Sequence, residues 1–248
     1  MPRTVRATRY VTPLREGGSL PAIVEADDLG LYVLKFRGAG MGALALVSEF
    51  IGGEVARAAG LRVPELVFVE VDAALGRNEP DEEIRDLLRA SVGLNLALDY
   101  LPGSTMFDPA ARDTAPPEVA SLAVWLDGFI TNVDRTARNP NLLNWHRQLY
   151  FIDHGAALYY HHDWDNIEAF VETPFKAIRQ HVLLPWASQI GEVRPGLTAG
   201  IFKAILDQVP DAWLPADKRM RYIDLLTRRL ERSEIFVEEA LRARAELI

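Results

Sequence analysis

The chain is 248 residues long, has no cysteine, is 49% hydrophobic and carries a formal charge of −8 from 35 acids and 27 bases. These values exclude a disulfide scaffold and a thiolate zinc site, and the acidic balance argues against an extended phosphate-tracking surface for nucleic acid. No window approaches the roughly 20 apolar residues of a membrane span, and the opening MPRTVRATRYVTPL lacks the apolar core of a secretion signal, so a cytoplasmic location is the expectation.

Taken in chain order, AIVE (22–25) and LYVLKF (31–36) read as two short strands around the polar turn ADDLG, a hairpin that ends in Lys35. After the glycine-rich RGAGMG, the stretch ALALVSEFIGGEVARAAG repeats apolar residues at helical spacing and stops at Gly60, a C-cap. Residues 61–71 read as a strand interrupted by Pro64. An acid cluster within 76–90 opens a short helix, because carboxylates favour the positive end of the helix dipole. GLNLALDYL (93–101) is a further strand, closed by PGS.

Beyond the loop FDPAARDTAPP the chain changes character. PEVASLAVWLDGFITNV begins with proline at the first helical position and gathers Leu122, Trp125, Leu126 and Phe129 on one apolar face, a core face rather than a ligand-stacking one. LLNW and LYFI form a strand pair around HRQ, HHDWDN (161–166) reads as a solvated segment, and the remainder reads as helices: IEAFV, FKAIRQHVLLPWASQI, LTAGIFKAILDQV and one long helix from about 216 to 247. A strand-rich first part (1–101) and a helical second part (102–248) predict an α+β chain of two lobes with a cleft between them.

Four features occur in a fixed order: a lysine at a strand end (Lys35), an acid in the next helix (Glu49), Asp134-Arg135 with Asn139 after a later helix, and Asp153 after a hairpin. Each has an ordinary reading alone. Lys35 can be a solvated stem and Asp134-Arg135 a helix-ending ion pair; Glu49 is costly in an apolar helix unless paired, and Glu54 competes with it for any partner. His161, His162, Asp163 and Asp165 have metal-ligand chemistry, but adjacent histidines point to different faces. Together and in this order, the four features are the residue types that phosphoryl transfer from ATP needs: a lysine on phosphate oxygens, a glutamate holding it, an acid at the acceptor hydroxyl, and oxygen ligands for Mg²⁺.

At these residues the chain resembles the protein-kinase-like superfamily, and the HipA-like kinases and phosphatidylinositol kinases more than the eukaryotic Ser/Thr kinases. Asn132-Val-Asp134-Arg135-Thr-Ala-Arg-Asn139 is similar to their catalytic loop Asn-x-Asp-Arg-x-x-x-Asn, Ile152-Asp153-His154-Gly155 to their metal-binding turn, and SEFIGGEVARAAGLRVPE to a HipA-like helix and the turn after it. The resemblance implies a two-lobed kinase fold in which Asp134 orients the acceptor, Asn139 and Asp153 hold Mg²⁺, Lys35 contacts the α- and β-phosphates of ATP and Glu49 holds Lys35. Asn141 is the alternative metal ligand, because it directly precedes the strand LLNW, where kinases place theirs. The resemblance further implies that the backbone of 98–101, with Asp99, Tyr100 and Leu101, reads adenine. No GxGxxG loop is present; REGGSLP, with Gly17, Gly18 and Ser19, is the nearest phosphate-cradling candidate, which leaves a nucleotide-binding module without phosphotransfer as the alternative. The chain is shorter than typical HipA toxins and is not expected to carry their additional N-terminal subdomain, so toxin activity and antitoxin pairing are not carried over. The expected acceptor is a protein Ser/Thr or a small molecule, since no basic membrane-binding helix favours a lipid surface.

Overall fold

Five strands in the first hundred residues close on themselves. The computed structural model describes residues 2–14, 20–77 and 79–247, so the phosphate-loop candidates Gly17, Gly18 and Ser19 lie outside the described residues. Strands β1 (Thr4–Pro13), β2 (Ala22–Ala26), β3 (Leu31–Lys35), β4 (Leu66–Val71) and β5 (Gly93–Asp99) form a closed barrel in the order β1-β2-β3-β5-β4. All neighbours are antiparallel except the parallel β1–β4 pair. Period-2 alternation turns Val24, Tyr32, Leu34, Val67, Val69 and Ala97 into the barrel interior. The opposite faces of β4 and β5 present Leu66, Phe68, Leu96 and Leu98 to a second, larger core. Lys35 lies opposite Leu96, and residues opposite one another share a face, so it points out of the barrel toward that core.

Helix α1 (Ala43–Ala59) covers this outer face with Leu46, Val47, Phe50 and Ile51 and ends at Gly60, whose φ of 105° is the expected left-handed cap. The guanidinium of Arg57 donates to the carbonyls of Val63 and Pro64, both at 3.0 Å. Those carbonyls are thereby removed from pairing, and the strand expected over 61–71 starts only at Leu66. β1 gave no sequence signal because only Val5 and Ala7 of its ten residues are buried. Helix α2 (Glu82–Ala90) starts as the acid cluster predicts, with the Asp81 carboxylate accepting from the N–H groups of Glu83 at 3.0 Å and Ile84 at 3.4 Å.

The rest is helical apart from a small sheet of β6 (Thr105–Met106), β7 (Leu142–Trp145) and β8 (Gln148–Phe151). The β7–β8 turn has two residues, not the expected three: Trp145 pairs with Gln148, and His146 and Arg147 take left-handed φ values of 47° and 62°. Helices α3 (Pro117–Ile130), α4 (Ile167–Val171), α5 (Ala199–Leu206), α6 (Ala216–Glu231) and α7 (Ser233–Ala245) follow. Trp125 and Phe129 stack in the core at 5.3 Å and meet Phe202 and Phe236, as their apolar face predicts. Arg229 is fully buried, donating to the carbonyls of Gly128, Phe129, Phe170, Val171 and Thr173, which supplies the open C-terminal ends of α3 and α4.

Three expectations fail in the helical part. Residues 175–190 are short 3₁₀ turns rather than one helix, because Pro185 interrupts the ladder and His181 is held by another element. The final helix breaks at Arg232 into α6 and α7. The 161–166 segment is only partly solvated: His161 is buried, with Nδ1 3.0 Å from the Tyr222 hydroxyl. No helix among the described residues is long and apolar enough to cross a membrane.

Candidate active site

Lys35 leaves the barrel at the end of β3 and meets α1 and the segment after β8 at one point. Its Nζ donates to Glu49 Oε2 at 3.1 Å and to Asp153 Oδ1 at 2.5 Å. Glu54, the competing acid, faces away and pairs with Arg57 at 3.3 Å, so the helix phase selects Glu49. Burial alone would lower the Lys35 pKa, but the two carboxylates outweigh it and hold the ammonium above its ordinary value. Burial raises Glu49 above the usual carboxylate range against the pull of Lys35, whereas Asp153, with its side chain 40% exposed, is held below that range by Lys35 despite its own burial.

Helix α1 is also fastened directly to the Asp153 segment. The Ser48 hydroxyl donates to the Ala157 carbonyl at 2.8 Å. A Cβ on Gly52 would lie 2.7 Å from His154 Cβ, so this approach requires glycine. The His154 ring is fully buried, and its nitrogens have no hydrogen-bond partner among the described residues. Burial, aided by the Arg135 charge, pushes its pKa down to about 3, so the ring is neutral at physiological pH.

The 132–141 loop hangs from α3. Asp127, on the last turn of that helix, accepts from Asn132 Nδ2 at 3.1 Å and from Arg135 Nε at 2.6 Å. Arg135 Nη1 then donates to the carbonyls of Asn141 and Ile152, tying the loop to the residue before Asp153. The Asp127 carboxyl sits well below its usual range: burial would raise it, but Arg135 and His181 overcome that. Within the loop, Asn139 Nδ2 donates to Asp134 Oδ2 at 2.9 Å, and Asn141 Nδ2 lies 3.4 Å from the Asp134 carbonyl. Asn141 and Asp153 both adopt left-handed φ, 49° and 57°, a strain tolerated where the surroundings fix the backbone. The Ile152 N–H donates to the Asn141 carbonyl at 3.1 Å, so Asn141 and Asp153 stand at the same end of the β7–β8 hairpin.

At the strand end expected to read adenine, the N–H of Asp99 is taken by the Glu65 carbonyl at 2.8 Å and that of Tyr100 by the Leu31 carbonyl at 3.0 Å. Leu101 N–H has no backbone acceptor among the described residues. The Trp145 indole donates to the Pro102 carbonyl at 2.9 Å, joining this strand end to the hairpin that leads to Asp153. Sequence reasoning missed Asp127 and His181. An acid inside the apolar run VWLDGFI was the available signal for the first; a single histidine in a mixed segment offered none for the second.

The reachable donors are oxygens: the Asp153 carboxylate and the amides of Asn139 and Asn141. No group of three or more His, Cys, Asp or Glu side chains with metal-holding geometry occurs among the described residues. Such a set fits a hard cation that keeps waters and takes further oxygens from a bound phosphate.

A family model described as HipA-like kinase matches residues 8–236. No curated protein matches the sequence. The crystal structure of a Helicobacter pylori proinflammatory kinase, CtkA, is similar at a TM-score of 0.49 and 11% identity, covering 100% of this chain and 99% of that one. The family match takes in the Lys35 strand, the 132–141 loop and the Asp153 turn alike, and the chain belongs to the HipA-like kinase family.

Proposed function

We propose that this chain is an ATP- and Mg²⁺-dependent phosphotransferase that passes the γ-phosphoryl group to a hydroxyl of a protein Ser/Thr or a small molecule. Its barrel part (1–101) and helical part (102–248) act as the two lobes around the nucleotide. The observation that carries this reading is the meeting of Lys35, Glu49 and Asp153, which come from three separate elements, at 3.1 and 2.5 Å. A surface lysine has no physical reason to be drawn between two carboxylates brought from positions 14 and 118 residues away in sequence.

In this reading Lys35 holds the α- and β-phosphates and Glu49 keeps its ammonium aimed at them. Asp153 and Asn141 would hold Mg²⁺, which supplies charge neutralisation on the phosphates when bound. Asn141 is preferred to Asn139 because its backbone carbonyl accepts from Ile152, next to Asp153; both amide nitrogens face the Asp134 carboxylate, but Asn139 Nδ2 does so at 2.9 Å and Asn141 Nδ2 only at 3.5 Å. Asn139 thereby orients Asp134, whose carboxylate accepts the proton of the attacking hydroxyl. The Leu101 N–H reads the adenine edge, the neighbouring Asp99 and Tyr100 N–H groups being taken by protein carbonyls. Gly17, Gly18 and Ser19 remain the proposed phosphate cover.

Two variants test the assignment. Asp153→Ala should abolish Mg²⁺-dependent ATP binding measured by calorimetry. Asp134→Ala should bind Mg-ATP within about threefold of wild type and lose transfer by roughly 10²–10⁴-fold, the range general-base removal produces. Full transfer activity in either variant refutes the role assigned to that residue.

A further inference from the structure

The buried contacts beneath the catalytic loop include one partner that the proposed reaction has not used. His181 lies in the 3₁₀ region between α4 and α5, and its side chain is 2% exposed. Its Nε2 is 2.9 Å from Asp127 Oδ2, the oxygen that also accepts from Arg135. Its Nδ1 accepts the N–H of Leu183 at 3.0 Å. A nitrogen that accepts from a backbone N–H carries a lone pair, so the proton of the neutral ring is on Nε2 and is donated to Asp127. Burial lowers the His181 pKa against the opposing pull of Asp127, in keeping with a neutral ring.

The backbone around His181 runs along the loop as well. Thr136 and His181 form an antiparallel bridge, and the Val182 N–H donates to the Arg135 carbonyl at 3.1 Å. Arg135 is therefore held on both sides, by its guanidinium on Asp127 and by its carbonyl on Val182. Its remaining reach goes to the carbonyls of Asn141 and Ile152. The line of contacts runs His181–Asp127–Arg135–Asn141/Ile152 and ends on the residues beside Asp134 and Asp153.

We propose that His181 is a positioning residue for phosphoryl transfer: through Asp127 it fixes Arg135, and through Arg135 it holds the Asp134 loop and the Asp153 turn in one frame. This rests on the roles proposed above for Asp134 and Asp153. The tautomer makes the device specific. A side chain of the same volume without the Nε2 donor leaves Asp127 with one partner fewer in a buried site, whereas an amide that reaches the same oxygen replaces it.

The test uses His181→Phe and His181→Gln in the full chain, with two readouts. In His181→Phe, amide hydrogen exchange should rise in 132–141 and 181–183, while the barrel strands β2, β3 and β5 stay protected as in wild type. Mg²⁺-dependent turnover should fall in kcat by about 10–100-fold, the scale of a displacement near 1 Å at reacting groups, with KM for ATP within about twofold. His181→Gln should recover half or more of the kcat and of the protection. The proposal is overturned if exchange in 132–141 is unchanged in His181→Phe, if both variants fall equally, or if the loss spreads evenly over the chain. Wild-type protein inactive with Mg-ATP on every acceptor tried, autophosphorylation included, counts against the phosphotransfer reading instead, and the clamp is then decided by the exchange pattern alone.

Discussion

A methyl group on Gly52 separates the packing of α1 from its role in the site. The added Cβ would stand 2.7 Å from His154 Cβ and 3.3 Å from Cγ, against 3.4 Å or more for ordinary contact, so something must move by about 0.7 Å. His154 is fully buried, and α1 is tied to its segment by the Ser48 hydroxyl on the Ala157 carbonyl at 2.8 Å, so neither side yields freely. Overpacking of this kind costs about 1–3 kcal/mol, and alanine in a helix interior returns about 0.5–1 kcal/mol, leaving a net destabilisation of roughly 0.5–2 kcal/mol. Asp153 directly precedes His154, and a displacement approaching 1 Å at a reacting centre is worth up to about 10²-fold in rate. On the proposed function, Gly52→Ala should therefore stay folded at 25 °C and lose about 10–100-fold in Mg²⁺-dependent ATP turnover. The neighbouring Gly53→Ala is the control: its one close contact would be Leu66 Cδ1 at 2.9 Å, a side-chain end with no link to Asp153, and Val63 Cγ1 at 3.6 Å is ordinary contact. It should keep wild-type turnover and lie within about 1 kcal/mol in stability. Initial rates at equal folded fraction, set by circular dichroism melts, decide the matter; equal turnover in the two variants refutes the coupling of this contact to the site.

Two further outcomes follow from buried charge. Arg229→Met removes the donor to five backbone carbonyls that lie in the core, and should cost about 3–5 kcal/mol in urea unfolding or abolish soluble expression; a loss under about 1 kcal/mol overturns that reading. Burial pushes His154 and His161 down to about 3, so both are neutral when folded and take up protons near pH 6.5 when unfolded. Their contribution is complete above about pH 6.5 and is lost as pH falls toward 3. By pH 5 each accounts for roughly 2 kcal/mol of lost stability, a window above the one in which depressed carboxylates such as Asp127 titrate. Urea midpoints at pH 7.5 and 5.0 check this, and equal stability at the two values refutes it.

The parts of the site legible in the sequence were those whose chemistry is local. Lys35, Glu49, Asp134 and Asp153 each sit at an element end or a helix phase that the apolar pattern fixes, and the structure brings Lys35, Glu49 and Asp153 into contact. The helical face favours Glu49 over Glu54 as the partner of Lys35, and in the structure Glu49 pairs with Lys35 while Glu54 pairs with Arg57. β1 was invisible because its outward face carries Arg6 and Thr8, and only closure of the barrel gives Val5 and Ala7 something to pack on. The 175–190 segment has helical composition, yet at its centre the His181 ring bonds Asp127 and the Val182 N–H bonds the Arg135 carbonyl, which no local pattern can show.

The charges gathered at the site explain its sparse donor set. Asp127 is answered by Arg135 at 2.6 Å, but Lys35 is shared between Glu49 and Asp153 at 3.1 and 2.5 Å, and Asp134 has only amide partners. Carboxylate is left in surplus around a largely buried point, where uncompensated charge is costly. Burial accordingly raises Glu49, whose side chain is 1% exposed, while the surplus rests on Asp153, which solvent reaches. On the proposed reading, a triphosphate entering alone would add negative charge to negative charge beside Asp153. A third protein carboxylate would deepen that repulsion, whereas the neutral amide of Asn141 would give a cation an oxygen ligand without adding charge. With the phosphates supplying the remaining oxygens, the proposed reading makes nucleotide and metal affinity properties of the pair.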